Sequence, residues 1–466
     1  MSCTSGWKGA VVGVLLNILY LMALLVTSPF LAYQSIRYGK YREGFAAKFL
    51  GNVPVRKPAS DGTYRRCFWF HAVSVGEVVL IAPLIARLRQ ERPDDEIVLS
   101  TTSRTGQAVA KSRYPDLMVF YAPLDFTWAV RRAMRRIRPD VLVLVELEVW
   151  PNLIREAVRS GVRVAIVNGR LSEHSADGYR RFRRVLRPIF AAFDRVMAQD
   201  VASADRFRSL GVPDERLLVT GSLKYEGAQT DREFPPTVRL RKLVGLTGRE
   251  RVFVAGSTQP GEDEAAIRIF SRMITDYPEL RLILVPRHPQ RFDAVWRLCE
   301  ESGFDVVRRS QIGEASGNSD FVCEISESAP EIPDSARASH ETPSCPPWRI
   351  LLVDTVGELS AWWGVAEIAF VGGSFGGRGG QNMIEPAGFG AAVCFGPDTR
   401  NFREIVTTLL ADDAATVVRD TEALEKFVRQ CLEDPDFARA MGARAQQKIR
   451  SCQGAVRITT QILTDL

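Results

Sequence analysis

The sequence predicts an α/β protein of two doubly wound parallel-sheet domains behind an N-terminal apolar helix. Three observations predict it: two successive series of short Val/Ile/Leu-rich runs alternating with amphipathic stretches, a polar segment between the series, and one almost wholly apolar stretch at the start. At 466 residues the chain exceeds what one hydrophobic core organises, and two domains of roughly 200 residues each fit its length. With 46% hydrophobic and 25% charged residues it is globular rather than disordered.

The apolar stretch, residues 9–33, is interrupted only by Asn17, Thr27, Ser28 and Pro29. About 20 apolar residues suffice for a helix to cross a bilayer. Arg37, Lys40, Arg42, Lys48, Arg56 and Lys57 follow it, against Lys8 alone before it, so the positive-inside rule keeps the rest of the chain in the cytoplasm. Residues 1–36 are read as a membrane anchor. A cleaved signal peptide is disfavoured by the length of the stretch and the lack of a small-x-small cleavage site. A helix lying in the membrane surface is disfavoured by the absence of charge on any face.

Behind the anchor, strands are expected at 67–70, 97–101, 117–121, 141–145, 164–168, 195–198 and 217–219. These runs are nearly continuous in apolar residues, as strands buried on both faces of a parallel sheet must be. Helical periodicity fills the gaps, as in Val78, Ile81, Ala82, Ile85 and Leu88. A polar stretch at 227–236 separates this Rossmann-like domain, 37–228, from a second, 229–466. There the expected strands are 252–255, 280–285, 304–307, 350–353, 368–371, 392–395 and 416–418. Residues 310–347 are rich in Ser, Glu, Pro and Gly and read as a mobile insertion, because such a composition buries too little surface to offset the entropy of ordering.

The net charge of +6 is modest. Basic runs at 131–138 and 180–184 are either solvated helix faces or an attraction to an anionic surface such as a phosphorylated lipid. No nucleic-acid fold signature accompanies them. Eight scattered cysteines without a CxxC pair point to a reducing compartment. Four histidines with no HExxH or Cys/His cluster leave no metal site to expect.

Chemistry concentrates at strand ends. The segment from His71 to Glu77, reading His-Ala-Val-Ser-Val-Gly-Glu, turns from strand into helix. It puts backbone N–H groups and a carboxylate at the edge where open α/β sheets bind ligands. Glu77 is a general-base candidate, or a first-turn Glu that stabilises its helix. At the end of the 141–145 strand, alternation sends Glu146 and Glu148 to one side and Leu147 to the other. Those carboxylates suit the stabilisation of positive charge on a reacting sugar, or else they cap the helix after Trp150-Pro151. Lys224 closes the first domain in a Gly-Ser-Leu-Lys element, placed to offset phosphate charge or simply to face solvent. In the second domain, Pro286-Arg287 ends one strand, Val356-Gly357-Glu358 follows another, and the Gly-rich 372–380 stretch leads to Asn382-Met383-Ile384-Glu385. Arg287 suits phosphate, exposed N–H groups of the 356–358 segment suit a nucleotide, and Glu385 suits ribose hydroxyls. Glycines equally serve turns.

Together these segments resemble the Kdo transferases of lipopolysaccharide synthesis, which carry 3-deoxy-D-manno-octulosonic acid (Kdo) from CMP-Kdo to a lipid A precursor. The resemblance runs from about residue 41 to the C-terminus outside the insertion, with the motifs in order. It implies the GT-B architecture, two Rossmann-like domains facing a cleft, the first for the acceptor and the second for the CMP-sugar. It implies Glu77 as base, and Glu146 of the Glu-x-Glu-x-Trp-Pro-Asn motif acting on the transition state with Glu148 as orienting neighbour. It implies Lys224 acting on the transition state, and CMP contacts from Pro286, Arg287, Val356, Gly357, Glu358, Asn382, Met383, Ile384 and Glu385. It further implies an inverting reaction without metal or cofactor, on the cytoplasmic side of an inner membrane. The sequence departs from the family pattern at Tyr225-Glu226, Gln259 and Gln381. Two other classes remain beside this one: another GT-B enzyme using a UDP-sugar, such as an epimerase or a lipid-linked sugar transferase, and a non-catalytic membrane-tethered nucleotide sensor. A CMP-versus-UDP binding assay separates the first. Retention of Glu77, Glu146 and Lys224 argues against the second.

Overall fold

The computed structural model describes residues 3–38, 43–313 and 348–466. The chain divides into two compact units, Met1–Gly227 with Cys452–Leu466, and Ala228–Ser451. In the first unit, strands β1 (Cys67–His71), β2 (Glu96–Thr101), β3 (Met118–Tyr121), β4 (Val141–Val145), β5 (Arg163–Gly169), β6 (Arg195–Ala198) and β7 (Leu217–Val219) form one sheet. Their order is β3-β2-β1-β4-β5-β6-β7 and every pairing is parallel. Alternate residues feed separate cores on the two faces. Trp69, Leu142, Leu144 and Ile166 pack on one. Phe68, Phe70, Val143 and Val167 pack on the other. That two-sided burial is why the strands read as unbroken apolar runs.

The second unit repeats the plan. Its strands are β8 (Arg251–Thr258), β9 (Leu280–Pro286), β10 (Val306–Arg308), β11 (Ile350–Leu352), β12 (Ile368–Val371), β13 (Ala392–Phe395) and β14 (Thr416–Val417). Their order is β10-β11-β9-β8-β12-β13-β14, again all parallel. In each sheet the winding reverses at one place, between β1 and β4 and between β8 and β12. Such a reversal is where loops diverge and where open α/β sheets bind ligands, beyond the strand ends.

All fourteen expected strands are present, displaced at most by a few residues. The expected run at 304–307 is Val306–Arg308, and that at 164–168 extends to Arg163–Gly169. One assignment changes. The sequence reading puts everything after residue 228 in the second domain, whereas Cys452–Leu466 packs with the first unit. Helix Ala455–Thr464 buries Ala455, Val456 and Leu463 in the core beneath β1 and β4. The Glu226 carboxylate accepts from Gly454 N–H and Val456 N–H at its start, satisfying donors that the first turn leaves open. Of the expected insertion, Ser310 is tied to Asp354 through its N–H (2.9 Å) and its hydroxyl (2.6 Å). Residues 314–347 lie outside the described residues.

Candidate active site

The first unit brings Glu77, Glu146 and Glu148 to the ends of β1 and β4, on either side of the winding reversal. Ser74 is the N-cap of helix Val75–Leu80 and accepts from Glu77 N–H. In return the Glu77 carboxylate accepts from Val73 N–H (2.9 Å) and the Ser74 hydroxyl (2.8 Å). This is a variant of the capping box, with the carboxylate closing on the N–H of Val73 and the Ser74 hydroxyl rather than on the Ser74 N–H, so the structural role considered for Glu77 is realised. It does not exhaust the residue. The side chain is buried, and desolvation, reinforced by the charges of Glu148 and Glu146 and opposed by its hydrogen bonds, pushes the carboxyl up to about 7. A carboxyl at that value is poised to take a proton at neutral pH.

For Glu146 and Glu148 the helix-capping alternative fails, although Glu148 does hold the turn through Trp150. The helix Pro151–Arg159 is capped from elsewhere, by Asp125, whose carboxylate accepts from Asn152 N–H (3.0 Å) and Leu153 N–H (2.8 Å). Strand alternation does not place the two glutamates, because β4 ends at Val145 and Glu146 is left-handed, with φ of 59°, yet the charges of both act on Glu77. A non-glycine residue there costs of order 1–3 kcal/mol and is held only where its surroundings over-determine it. Glu148 accepts from Trp150 Nε1 at 2.7 Å, and burial raises its pKa. Trp150 meets the His71 ring edge-on at 5.4 Å, and His71 Nδ1 contacts the Ser100 hydroxyl at 2.9 Å. Burial drives His71 down to about 4, so it is a neutral wall behind the glutamates.

Lys224 is exposed, on the short helix Leu223–Tyr225. Its loop is hung from Asn168 at the end of β5, which adopts φ of 55° and accepts from Leu223 N–H at 2.9 Å.

In the second unit, Pro286 ends β9, and Arg287 is exposed with its N–H bonded to the Thr258 carbonyl at 3.1 Å. Val356 is exposed, Gly357 has φ of 93°, and Glu358 precedes a helix of only four residues, Leu359–Trp362. The Glu358 carboxylate is already engaged, forked by Arg309 (2.8 and 3.0 Å) and bonded by the Thr355 hydroxyl (2.6 Å). This segment therefore offers its backbone rather than a free carboxylate. Asn382 accepts from Ile384 N–H and donates to Glu385 at 3.0 Å. Met383 and Ile384 are buried beneath them, and burial raises the Glu385 pKa.

One residue absent from the sequence reading organises the Gly-rich stretch. Glu262, buried at the start of helix Glu262–Met273, accepts from the N–H groups of Gln259 (2.8 Å), Gly373 (2.7 Å), Ser374 (3.1 Å) and Phe375 (3.1 Å). A Cβ on Gly372 would sit 2.7 Å from that carboxylate, which is why the position needs glycine. The chain thus fills this nest of amides with its own anion. A Glu opening a helix just after a strand was the available signal. Asp125 carried none, since its partners lie 27 and 28 positions away.

The family model described as 3-deoxy-D-manno-octulosonic-acid transferase (kdotransferase) matches residues 40–227. The 3-deoxy-D-manno-octulosonic acid transferase of Haemophilus influenzae is 30% identical over 452 residues, 95% of this chain and 97% of that protein. That of Bordetella pertussis is 32% identical, over 92% of this chain and 93% of that protein. This chain belongs to the Kdo transferase family. A UDP-GlcNAc 2-epimerase from Neisseria meningitidis superposes with a TM-score of 0.53 at 12% identity, over 86% of this chain and 100% of that one. At that identity the likeness concerns fold alone, and the fold of this Kdo transferase family member is GT-B.

Its departures from the family pattern have structural uses. Glu226 caps the C-terminal helix. Gln259 accepts from Arg378 at 2.8 Å, tying the Gly-rich stretch to the end of β8. The Gln381 side chain lies against Gly373, 3.2 Å from where a Cβ would be.

Proposed function

We propose that this protein moves Kdo from CMP-Kdo to a lipid A precursor of the lipid IVA type, with inversion and without a cofactor, at the cytoplasmic face of an inner membrane. The observation that carries the reading is the Glu77 carboxyl pushed up to about 7 beside two further glutamates. Family membership supports the sugar transferred. The acceptor hydroxyl gives its proton to Glu77 while its oxygen forms the new bond to the anomeric carbon of Kdo. The bond from that carbon to the phosphate oxygen breaks, and CMP leaves with the electron pair. Glu146 stabilises positive charge on the sugar as the old bond lengthens. Lys224 and Arg287, both exposed cations, are assigned to the departing phosphate. Pro286, the backbone of Val356 to Glu358, and Asn382 to Glu385 are assigned to the nucleotide.

Purified protein incubated with CMP-Kdo and a tetra-acylated lipid A precursor in detergent tests the proposal. Mass spectrometry is expected to show the acceptor heavier by one or more Kdo units, with matching release of CMP. CMP release without acceptor modification, or binding of UDP in preference to CMP, overturns it.

A further inference from the structure

The N-terminal helix, Cys3–Tyr38, is docked along the first unit. Asn17 is buried, donating to the Thr127 hydroxyl (2.7 Å) and accepting from Thr127 N–H (3.1 Å). One turn on, the Tyr20 hydroxyl donates to Asp125 at 3.1 Å, and its ring meets Phe126 edge-on at 6.1 Å. Leu24 and Thr27 then face Leu124, Trp150 and Pro151 across a cavity of about 360 Å³. Positions 17, 20, 24 and 27 are three, four and three apart, one face of an α-helix. That face lies lengthwise against the turn that carries Glu146 and Glu148. Away from it, Leu15, Leu19, Leu25 and Val26 are 55–79% exposed.

Docking and spanning exclude each other. The stretch long and apolar enough to cross a membrane is Gly13–Phe30. At about 1.5 Å per residue it would just fill a hydrocarbon core of about 30 Å. Its docked residues 17–27 would then lie through the middle of the bilayer. They would carry with them the Asp125 carboxylate, the irregular backbone at Trp150-Pro151, and the exposed Arg131 and Arg132 of helix Thr127–Ile137. Irregular backbone and charge facing lipid at that depth are not tolerated.

We infer that the N-terminal helix is monotopic: it stays docked on the first unit and immerses its outer apolar faces in one leaflet, leaving both chain termini on one side of the bilayer. The inference rests on the membrane association proposed above and specifies its geometry. The missing charged face, which in sequence counts against a surface helix, has a physical explanation. A surface helix needs a polar face because that face meets water, whereas the polar stripe here meets protein. The surroundings suit an interface. Phe126 stacks on Trp128 at 4.6 Å, Phe49 stacks on Phe126 at 6.4 Å and on Phe45 at 4.6 Å. Trp128 and Phe45 are 44% and 58% exposed, and aromatic residues gather at the headgroup level. Arg131 and Arg132 stand on the next turn to meet anionic headgroups. The turn bearing Glu146 and Glu148 would be held at a fixed depth beside the leaflet.

The test uses the full-length chain with a short peptide tag before Met1, and in a second version after Leu466, and follows tag loss to added protease. Both tags are expected to survive in intact spheroplasts and to be lost in inverted inner-membrane vesicles. An N-terminal tag removed from intact spheroplasts while the C-terminal tag survives would show a spanning helix and overturn the inference. Recovery of the protein in the soluble fraction at low and high salt alike would instead overturn the membrane reading itself.

Discussion

Replacing Glu77 by Gln tests the base assignment and the electrostatics behind it together. Holding the carboxyl at about 7 rather than its ordinary 4.5 corresponds to roughly 3 kcal/mol favouring the protonated form in the folded state. Because the folded value lies above the unfolded one, the stability it contributes is fully present below about pH 4.5 and is lost as pH rises through about 7. Gln mimics the protonated acid within the capping box but cannot ionise. At pH 5 the two proteins should therefore melt alike. At pH 8.5 the variant should gain up to about 3 kcal/mol, because the shift already sets the carboxylate's hydrogen bonds against its desolvation. A gain near 3 kcal/mol is about 6–12 °C in Tm for a unit of this size. In the transfer assay, wild-type kcat/KM should rise with pH through an inflection near 7. Glu77→Gln should lower it on the order of 10²–10⁴-fold and remove the inflection. Differential scanning calorimetry and a pH–rate profile are the measurements. A variant that retains the inflection, or that is less stable than wild type at pH 8.5, would refute the reasoning.

Three further substitutions separate donor binding, scaffolding and chemistry. Glu385→Gln removes a half-buried carboxylate assigned to the ribose and should weaken CMP binding about ten- to a hundredfold by calorimetric titration; unchanged affinity would remove Glu385 from the donor site. Glu262→Ala leaves the Gly373, Ser374 and Phe375 amides without their acceptor. It should cost roughly 2–4 kcal/mol, seen as a lower Tm for the second unit, and a neutral effect would mean that water replaces the carboxylate. Lys224→Ala should reduce turnover on the order of 10²–10³-fold with Tm unchanged, since the Lys224 ammonium makes no ion pair among the described residues; full activity would confine it to the surface.

The sequence by itself determined the strands, the apolar helix and the placement of Glu77 at a strand-to-helix turn. Strands buried on both faces must be continuous in apolar residues, and a capping box needs Ser74 and Glu77 three positions apart. Both are relations between neighbours along the chain. The tertiary structure decided who pairs with whom. It took the cap of helix Pro151–Arg159 from Glu146 and Glu148 and assigned it to Asp125. It engaged Glu358 with Arg309, 49 positions away, and filled the amides of the Gly-rich stretch with Glu262, 111 positions from Gly373. It returned the last helix to the first unit through Glu226, 228 positions from Gly454. It also laid the N-terminal helix on the protein through Asn17 and Thr127, 110 positions apart. The Glu77 pKa belongs with these, because desolvation and the charges of Glu146 and Glu148 act through space. Local patterns record the period of an element and the chemistry of its ends. They do not record which distant side chain will meet a given polar group once water is excluded, and that meeting turns a carboxylate into a cap, an ion-pair partner or a base.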